Sequence, residues 1–360
     1  MLQLEKVGKT VGRDVHVADV DLRLERGSLN VLLGPTLSGK TTLMRLMAGL
    51  DRPTSGRILM DGQDVTGVPV ARRNVAMVYQ QFINYPSMTV RENIASPLRV
   101  AGKPAAEIDA AVSRAARLMK LEPYLDRTPL NLSGGQQQRT ALARAIVKGA
   151  DLVLLDEPLA NLDYKLREEL REELPRIFAA SGAIFVYATT EPTEALLLGG
   201  NTATLREGRV TQFGPTPAVY RAPADLATAR IVSDPPLNVL PFEVAGGHAT
   251  GSNGLSLPPN FGVGLAAGRY QLGIRAHKLH LAEGEAATGS LAAEVLTSEV
   301  TGSQTFVHAD GGGARLVALL PGVRRVERGD ALRFNFDPAS LLVFDEDGRR
   351  VDHSSLPLAA

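Results

Sequence analysis

Nine consecutive residues, Gly34-Pro35-Thr36-Leu37-Ser38-Gly39-Lys40-Thr41-Thr42, place two glycines, a lysine and a hydroxyl side chain at the spacing G-x-x-x-x-G-K-[ST]. This is the pattern of a polyphosphate cradle. The glycines let the backbone curl until successive N–H groups converge on phosphate oxygens, and a helix opening at Lys40 adds its positive dipole end. In such a loop the lysine reaches the β- and γ-phosphates and the Thr41 hydroxyl ligates Mg²⁺. A glycine turn that served only as a turn would need neither Lys40 nor Thr41. A second candidate group follows the apolar run 152–155, where Asp156 and Glu157 are adjacent. Carboxylates at the C-terminal end of a parallel strand stand where ligands of such sheets gather. Asp156 suits Mg²⁺, and Glu157 suits a general base that orients or deprotonates water; capping a helix or turn is the structural alternative. Gln80, just after the apolar run 75–79, can reach a metal ion and an attacking water. Leu132-Ser133-Gly134-Gly135-Gln136 opens another helix, with Ser133 as N-cap and two glycines that permit close approach of an anion.

The elements that must position these groups are legible from periodicity. Residues 29–33 (LNVLL) read as a buried strand leading into the phosphate loop, and 40–49 as the helix leaving it. Between residues 15 and 24 apolar residues recur at every second place with a one-residue shift, which predicts a strand with a bulge. Further strands are expected at 57–60, 75–79, 151–155 and 183–187, with helical signals over 86–120, including a Thr89 cap, and a charged helix over 162–178 whose Glu and Arg residues read as a solvated face. Alternating strands and helices imply a largely parallel sheet covered on both faces. Beyond about residue 225 the character changes. Asp234-Pro235-Pro236 reads as a linker, and short glycine-punctuated β runs follow, at 270–275, 291–298, 305–309, 316–320 and 331–336.

A chain of 360 residues is long enough for two domains. Its 39 Lys and Arg balance 39 Asp and Glu, which argues against nucleic acid as the partner. The absence of cysteine excludes disulfides, thiolate metal sites and thiol nucleophiles. The opening MLQLEKVGKT lacks the apolar core of a signal peptide, and no apolar run has the length of a membrane span. The expectation is a protein on the cytoplasmic side of the cell membrane, bound to it only through partners.

Taken together, the phosphate loop, Gln80, LSGGQ at 132–136, Asp156-Glu157 and Asn161-Leu162-Asp163 resemble the ATP-binding subunit of an ABC transporter. The resemblance extends to the C-terminal part, where Gly273-Ile274-Arg275 followed by His277 is similar to the β-barrel domain on ATPases of maltose-type carbohydrate importers. Stretches such as YQQFINYPSMTVRENIASPLRVAG lie nearest to the branch serving glycerol and related polyols. The resemblance implies an α/β P-loop NTPase of ABC type, with a RecA-like core, an antiparallel β subdomain and a helical subdomain at about 84–150. This ATP-binding domain would occupy residues 1–232, and a small all-β OB-like (TOBE) domain residues 233–360. It also implies that two ATPase chains sandwich two ATP molecules with Mg²⁺. Each ATP would be held by one chain's loop 34–42 and by Leu132, Ser133, Gly134, Gly135 and Gln136 of the other, with Asp163 at the junction. The implied partners are transmembrane permeases, whose coupling helix would dock on the segment from Gln80 through the helical insert, including Phe82–Met88, and through them a solute-binding protein; Phe82 and Tyr85 read alternatively as ordinary core. A soluble ABC-type ATPase of DNA repair or translation would instead carry a coiled-coil insertion, paired cassettes or a basic surface, none of which is evident.

Two residues depart from the family pattern. Thr190, in Thr189-Thr190-Glu191, stands where the family has a histidine that contacts the γ-phosphate, and no histidine occurs between His16 and His248. A hydroxyl has shorter reach and no charge to offer. Val11 stands where the family places an aromatic ring against adenine; His16 is the alternative ring nearby. Both changes fall on the nucleotide site built from this chain's own loop. The expectation is a partnership with a second ATPase chain that retains the histidine; a regulatory, non-catalytic subunit is the alternative.

Overall fold

The computed structural model describes residues 1–352 except 161, 253 and 283–288, so the Asn161 part of the expected Asn-Leu-Asp motif lies outside the described residues. The chain divides into two compact units, Met1–Ala218 and Val219–Ala360. The boundary expected at 232/233 therefore falls inside the second unit. There the helix Leu226–Ile231 buries Leu226 and Ala229 in one apolar cluster with Leu237, Leu342 and Phe344.

In the first unit the strands β1 (Leu2–Val11), β2 (Asp14–Leu24), β3 (Leu29–Leu33), β4 (Ser55–Met60), β5 (Gln63–Asp64), β6 (Val75–Val78), β7 (Leu152–Asp156), β8 (Ile184–Thr189), β9 (Asn201–Arg206) and β10 (Arg209–Pro215) form two sheets. One is antiparallel, in the order β2-β1-β4-β5. The irregularity read from the apolar pattern appears as register shifts between β1 and β2, where Val7 pairs with Val20 but Lys9 with Val17. The other sheet runs β10-β9-β3-β8-β7-β6 and is parallel except for its β10 edge. β3 and β7 are buried along their whole length, so both read as unbroken apolar runs rather than alternating ones. The helix α1 (Lys40–Ala48) packs Leu43, Met44, Leu46 and Met47 into a core shared by residues of both sheets. The helices α2 (Val90–Val100), α3 (Ala105–Leu118) and α4 (Gly134–Val147) fill the expected helical insert. Thr89 caps α2 through a capping box with Glu92, as its sequence position anticipates. The helices α5 (Tyr164–Ser181) and α6 (Pro192–Leu198) flank β8 in sequence.

Besides the helix Leu226–Ile231, the second unit is built of two sheets whose described strands pair antiparallel. One sheet includes Asn238–Ala245, Gly268–Ile274 and Leu342–Phe344; the other includes Ser290–Val300, Gln304–Gly311, Ala314–Pro321 and Ala331–Asn335. Alternate residues bury a common core in which the Phe242 ring stacks on Tyr270 at 5.4 Å and meets Phe261 edge-on at 5.6 Å. Among the described residues no helix is long and apolar enough to cross a membrane.

Candidate nucleotide site

The phosphate loop leaves the C-terminal end of β3, as the apolar run ending at Leu33 requires. Its two glycines answer different needs. A Cβ on Gly34 would come within 2.4 Å of the Leu205 carbonyl oxygen, so the loop can pass there only without a side chain. Gly39 has φ 101°, and a Cβ would also meet the His16 carbonyl at 2.7 Å. From this turn Lys40 enters α1 buried, its Nζ donating to the carbonyls of Gly34 at 2.7 Å and Pro35 at 2.9 Å. Burial holds the Lys40 ammonium below its ordinary pKa, although Glu157 and Asp156 pull the other way. The Ser38 hydroxyl is buried and has no hydrogen-bond partner among the described residues. A buried cation spending its protons on its own loop, beside an orphaned hydroxyl and a curled backbone, fits a polyanion as the missing partner.

Two strand ends bring the carboxylates to the same place. Thr41 Oγ1 donates to Asp156 Oδ2 at 2.8 Å, joining the first turn of α1 to the end of β7. Glu157 follows with φ 47°, a conformation rare for a side-chain-bearing residue, and its N–H donates to the Ala188 carbonyl at 3.0 Å. Gln80, just beyond β6, donates through Nε2 to Glu157 Oε2 at 2.8 Å. Desolvation raises the carboxyl pKa of both Asp156 and Glu157. No group of three or more His, Cys, Asp and Glu side chains able to hold a metal occurs among the described residues. The oxygens of Thr41 and Asp156, with the Gln80 amide, suit a hard cation such as Mg²⁺ whose remaining positions are completed by phosphate and water.

Lys40, Thr41, Gln80 and Glu157 share a cleft of about 620 Å³ whose lining also includes the rest of 36–42, Thr190, and Asp14, Val15 and His16 from the start of β2; Asp156 joins it through its bond to Thr41. Val11 does not line it. The β1–β2 hairpin turns at residues 12–13, leaving Val11 half exposed and paired with Asp14. The signature residues Leu132–Gln136 and Asp163 are also absent from this cleft. Ser133 and Gln136 close a capping box on α4, Ser133 N donating to Gln136 Oε1 at 2.9 Å, and Asp163 caps α5 by accepting from Leu166 N at 3.0 Å. His16, the alternative ring named from sequence, lines the cleft, whereas two features were not read from sequence: the orphaned state of the Ser38 hydroxyl and the burial of Arg171. The charged face expected of α5 has an exception there, because Arg171 is 11% exposed and turns to the buried Glu194. No local pattern distinguishes Arg171 from its solvated neighbours.

A parallel sheet with a phosphate loop at one strand end and paired carboxylates at the next but one defines a P-loop nucleoside triphosphatase. The ABC transporter family matches residues 17–160 and the TOBE domain residues 272–344. The chain is 37% identical over 353 residues to the sn-glycerol-3-phosphate import ATP-binding protein UgpC of Ruegeria sp., covering 97% of this chain and 99% of that one. It is 36% identical over 357 residues to the sulfoquinovosyl glycerol transport ATP-binding protein SmoE of Agrobacterium fabrum, covering 98% and 99%. Among solved structures, the post-hydrolysis dimer of the ATP-binding cassette MJ0796 bound to ADP and Pi matches with TM-score 0.55 and 27% identity, over 60% of this chain and 99% of that one. The chain belongs to the ABC transporter family, as an ATP-hydrolysing transporter subunit with an OB-like TOBE domain in its second unit.

Proposed function

We propose that the chain is the motor of an importer for a small polyol or sugar, with glycerol favoured and glycerol phosphate or an oligosaccharide as the alternatives. The observation that carries the motor assignment is the Thr41–Asp156 contact beside Glu157 and Gln80, at the mouth of a loop shaped for polyphosphate. In this reading Lys40 leaves its loop carbonyls for the β- and γ-phosphates, and the loop N–H groups and Ser38 bind phosphate oxygens. Glu157 accepts the proton of a water held with Gln80's help. Thr41, Asp156 and Gln80 would hold Mg²⁺, which supplies charge neutralisation on the phosphates. Thr190 offers a hydroxyl to the γ-phosphate in place of an imidazole. Leu132–Gln136 and Asp163 face the nucleotide of a second ATPase chain, consistent with their absence from this chain's own cleft.

The names of the relatives support glycerol-derived solutes over α-glucosides, which one further relative, the AglK protein of Rhizobium meliloti, is named for. A groove of about 460 Å³ lined by Tyr85, Met88, Val100, Arg144 and Lys148 supports permease docking on the segment after Gln80. Tyr85 is half exposed under the Arg144 guanidinium, 4.9 Å from its ring, and is not core. Permeases would bring the chain to the cytoplasmic side of the membrane and, through them, to a solute-binding protein. Because Thr190 cannot carry charge, the preferred assembly contains a second ATPase chain with the histidine.

The test is recovery of the tagged chain from detergent-solubilised membranes of its own cell, paired with uptake of labelled glycerol, sn-glycerol 3-phosphate and an α-glucoside with and without the gene. Permeases plus a different ATPase, and loss of glycerol or glycerol phosphate uptake, are expected. Recovery with this chain as the sole ATPase would overturn the pairing, and loss of α-glucoside uptake alone would overturn the solute class.

A further inference from the structure

Glu194, a carboxylate the mechanism leaves unused, is absent from the cleft lining, and its charge is one of those that raise the Glu157 carboxyl. Glu194, on α6, is 4% exposed. Its Oε2 accepts from the Tyr187 hydroxyl at 3.1 Å and the Thr189 hydroxyl at 2.7 Å, and its Oε1 accepts from Arg171 Nη2 at 3.3 Å. Tyr187 and Thr189 alternate along β8 and so project from one face of the sheet. Arg171 comes from α5, where it also donates to Glu168 at 2.5 Å, and it stands 3.6 Å from Glu191. Thr189 Oγ1 in turn accepts the N–H of Glu191 at 3.0 Å. The Thr189 carbonyl accepts the N–H of Gly34, the first residue of the phosphate loop.

A buried anion persists only where donors replace its hydration. Here the donors bracket one residue. Thr189 is fixed through its side chain to Glu194 and through its carbonyl to Gly34, and Glu191 is fixed through its N–H to Thr189; the residue between them is Thr190. A threonine side chain is short, so the distance its hydroxyl can cover is set almost wholly by its backbone. An imidazole would tolerate more error in that backbone than a hydroxyl does.

We propose that Glu194 is a positioning residue for ATP hydrolysis: its cluster of three donors holds the backbone on both sides of Thr190 and thereby sets where the threonine hydroxyl meets the nucleotide. This rests on the role given to Thr190 above. The test is a double-mutant cycle on ATP hydrolysis by the purified full-length chain. Glu194→Gln keeps the acceptor for the two hydroxyls but turns an amide group on Arg171, and should lower kcat about ten- to a hundredfold with KM for ATP nearly unchanged, the scale expected for a small misplacement at a reacting centre. In a Thr190→Ala background the same substitution should lower kcat less than about twofold, because it acts through the residue already removed. An equal loss in both backgrounds overturns the positioning role while leaving Thr190's role intact. If Thr190→Ala by itself leaves kcat unchanged, the role of Thr190 fails and the positioning role with it. Thr189→Val, which removes one hydroxyl, carries the same cycle if Glu194→Gln does not fold. Amide hydrogen exchange supplies a readout that does not depend on turnover. Either variant should speed exchange at residues 190–191 and leave 34–42 protected, and unchanged exchange at 190–191 overturns the proposal.

Discussion

The nucleotide cleft has a floor and a rim, and the two are built from different kinds of residue. At the floor Lys40 and Asp156 are 6% and 4% exposed, Lys40 held by carbonyls of its own loop and Asp156 by the Thr41 hydroxyl in the first turn of α1. Around them the backbone is so crowded that a Cβ on Gly34 or Gly39 has no room. At the rim Thr190 and His16 are exposed, while Val11, also exposed, stands outside the lining; a threonine and a valine occupy the positions where the resembled family carries a histidine and an aromatic ring. Change at the floor is costly to both fold and chemistry. Change at the rim costs binding or rate but leaves the fold untouched, so the rim is where residues can vary without loss of the fold.

The sharpest test of that difference is at the floor. Glu157→Gln should lower ATP turnover of the full-length chain by roughly 10²–10⁴-fold while ATP still binds, the range for loss of a general base. A loss under tenfold would place the proton acceptor elsewhere. Because desolvation raises the Glu157 carboxyl, the acid limb of the pH–rate profile should lie above the ordinary carboxylate range, and Glu157→Gln should abolish that limb. At the rim, Thr190→His should raise turnover, by up to about 10²-fold if the imidazole supplies a full stabilising contact. Steady-state hydrolysis of the two proteins side by side decides it, and equal rates would erase the distinction between rim and floor. Val11→Trp should tighten ATP by about 5- to 150-fold through base stacking worth roughly 1–3 kcal/mol. Equilibrium titration that shows no change for this variant, but a loss for His16→Ala, would move the adenine to the start of β2.

The smallest expected effect concerns stability. The folded-state pKa of the Asp156 carboxyl is raised by burial, so the folded protein binds its proton more tightly than the unfolded chain does. That carboxyl favours the fold below its unfolded pKa and the advantage is lost as pH rises through the raised value. Asp156→Asn should therefore raise Tm of the nucleotide-free protein at pH 7 and do less at pH 4. A Tm gain that is the same at both pH values would show that removing the charge is not the cause.

Much of the first unit was legible because its signals are local. A strand buried on both faces is an unbroken apolar run, a phosphate loop needs its glycines at fixed spacing, and Thr89 and Ser133 begin helices with the residue three places on that completes their caps. The second unit was less legible. Asn238–Ala245 and Leu342–Phe344 were not anticipated as strands, and nothing local announces that the helix Leu226–Ile231 packs with Leu342 and Phe344, more than a hundred residues on. The solvated reading of α5 missed Arg171 for the same reason, since its partner Glu194 lies on another helix.

The candidate chemistry is written locally: a lysine, a hydroxyl and two carboxylates at spacings that the backbone of a P-loop can turn into a triphosphate site, and a threonine where the resembled family has a histidine. Those are properties of residues next to one another, and adjacency is written in the chain. It took the packed fold to bring Thr41 to Asp156 across 115 positions, to line the cleft with Val15 and His16 rather than Val11, and to gather Arg171, Tyr187 and Thr189 around Glu194. Such contacts join separate elements whose meeting is fixed by the packing of sheet and helices, and no local spacing encodes it.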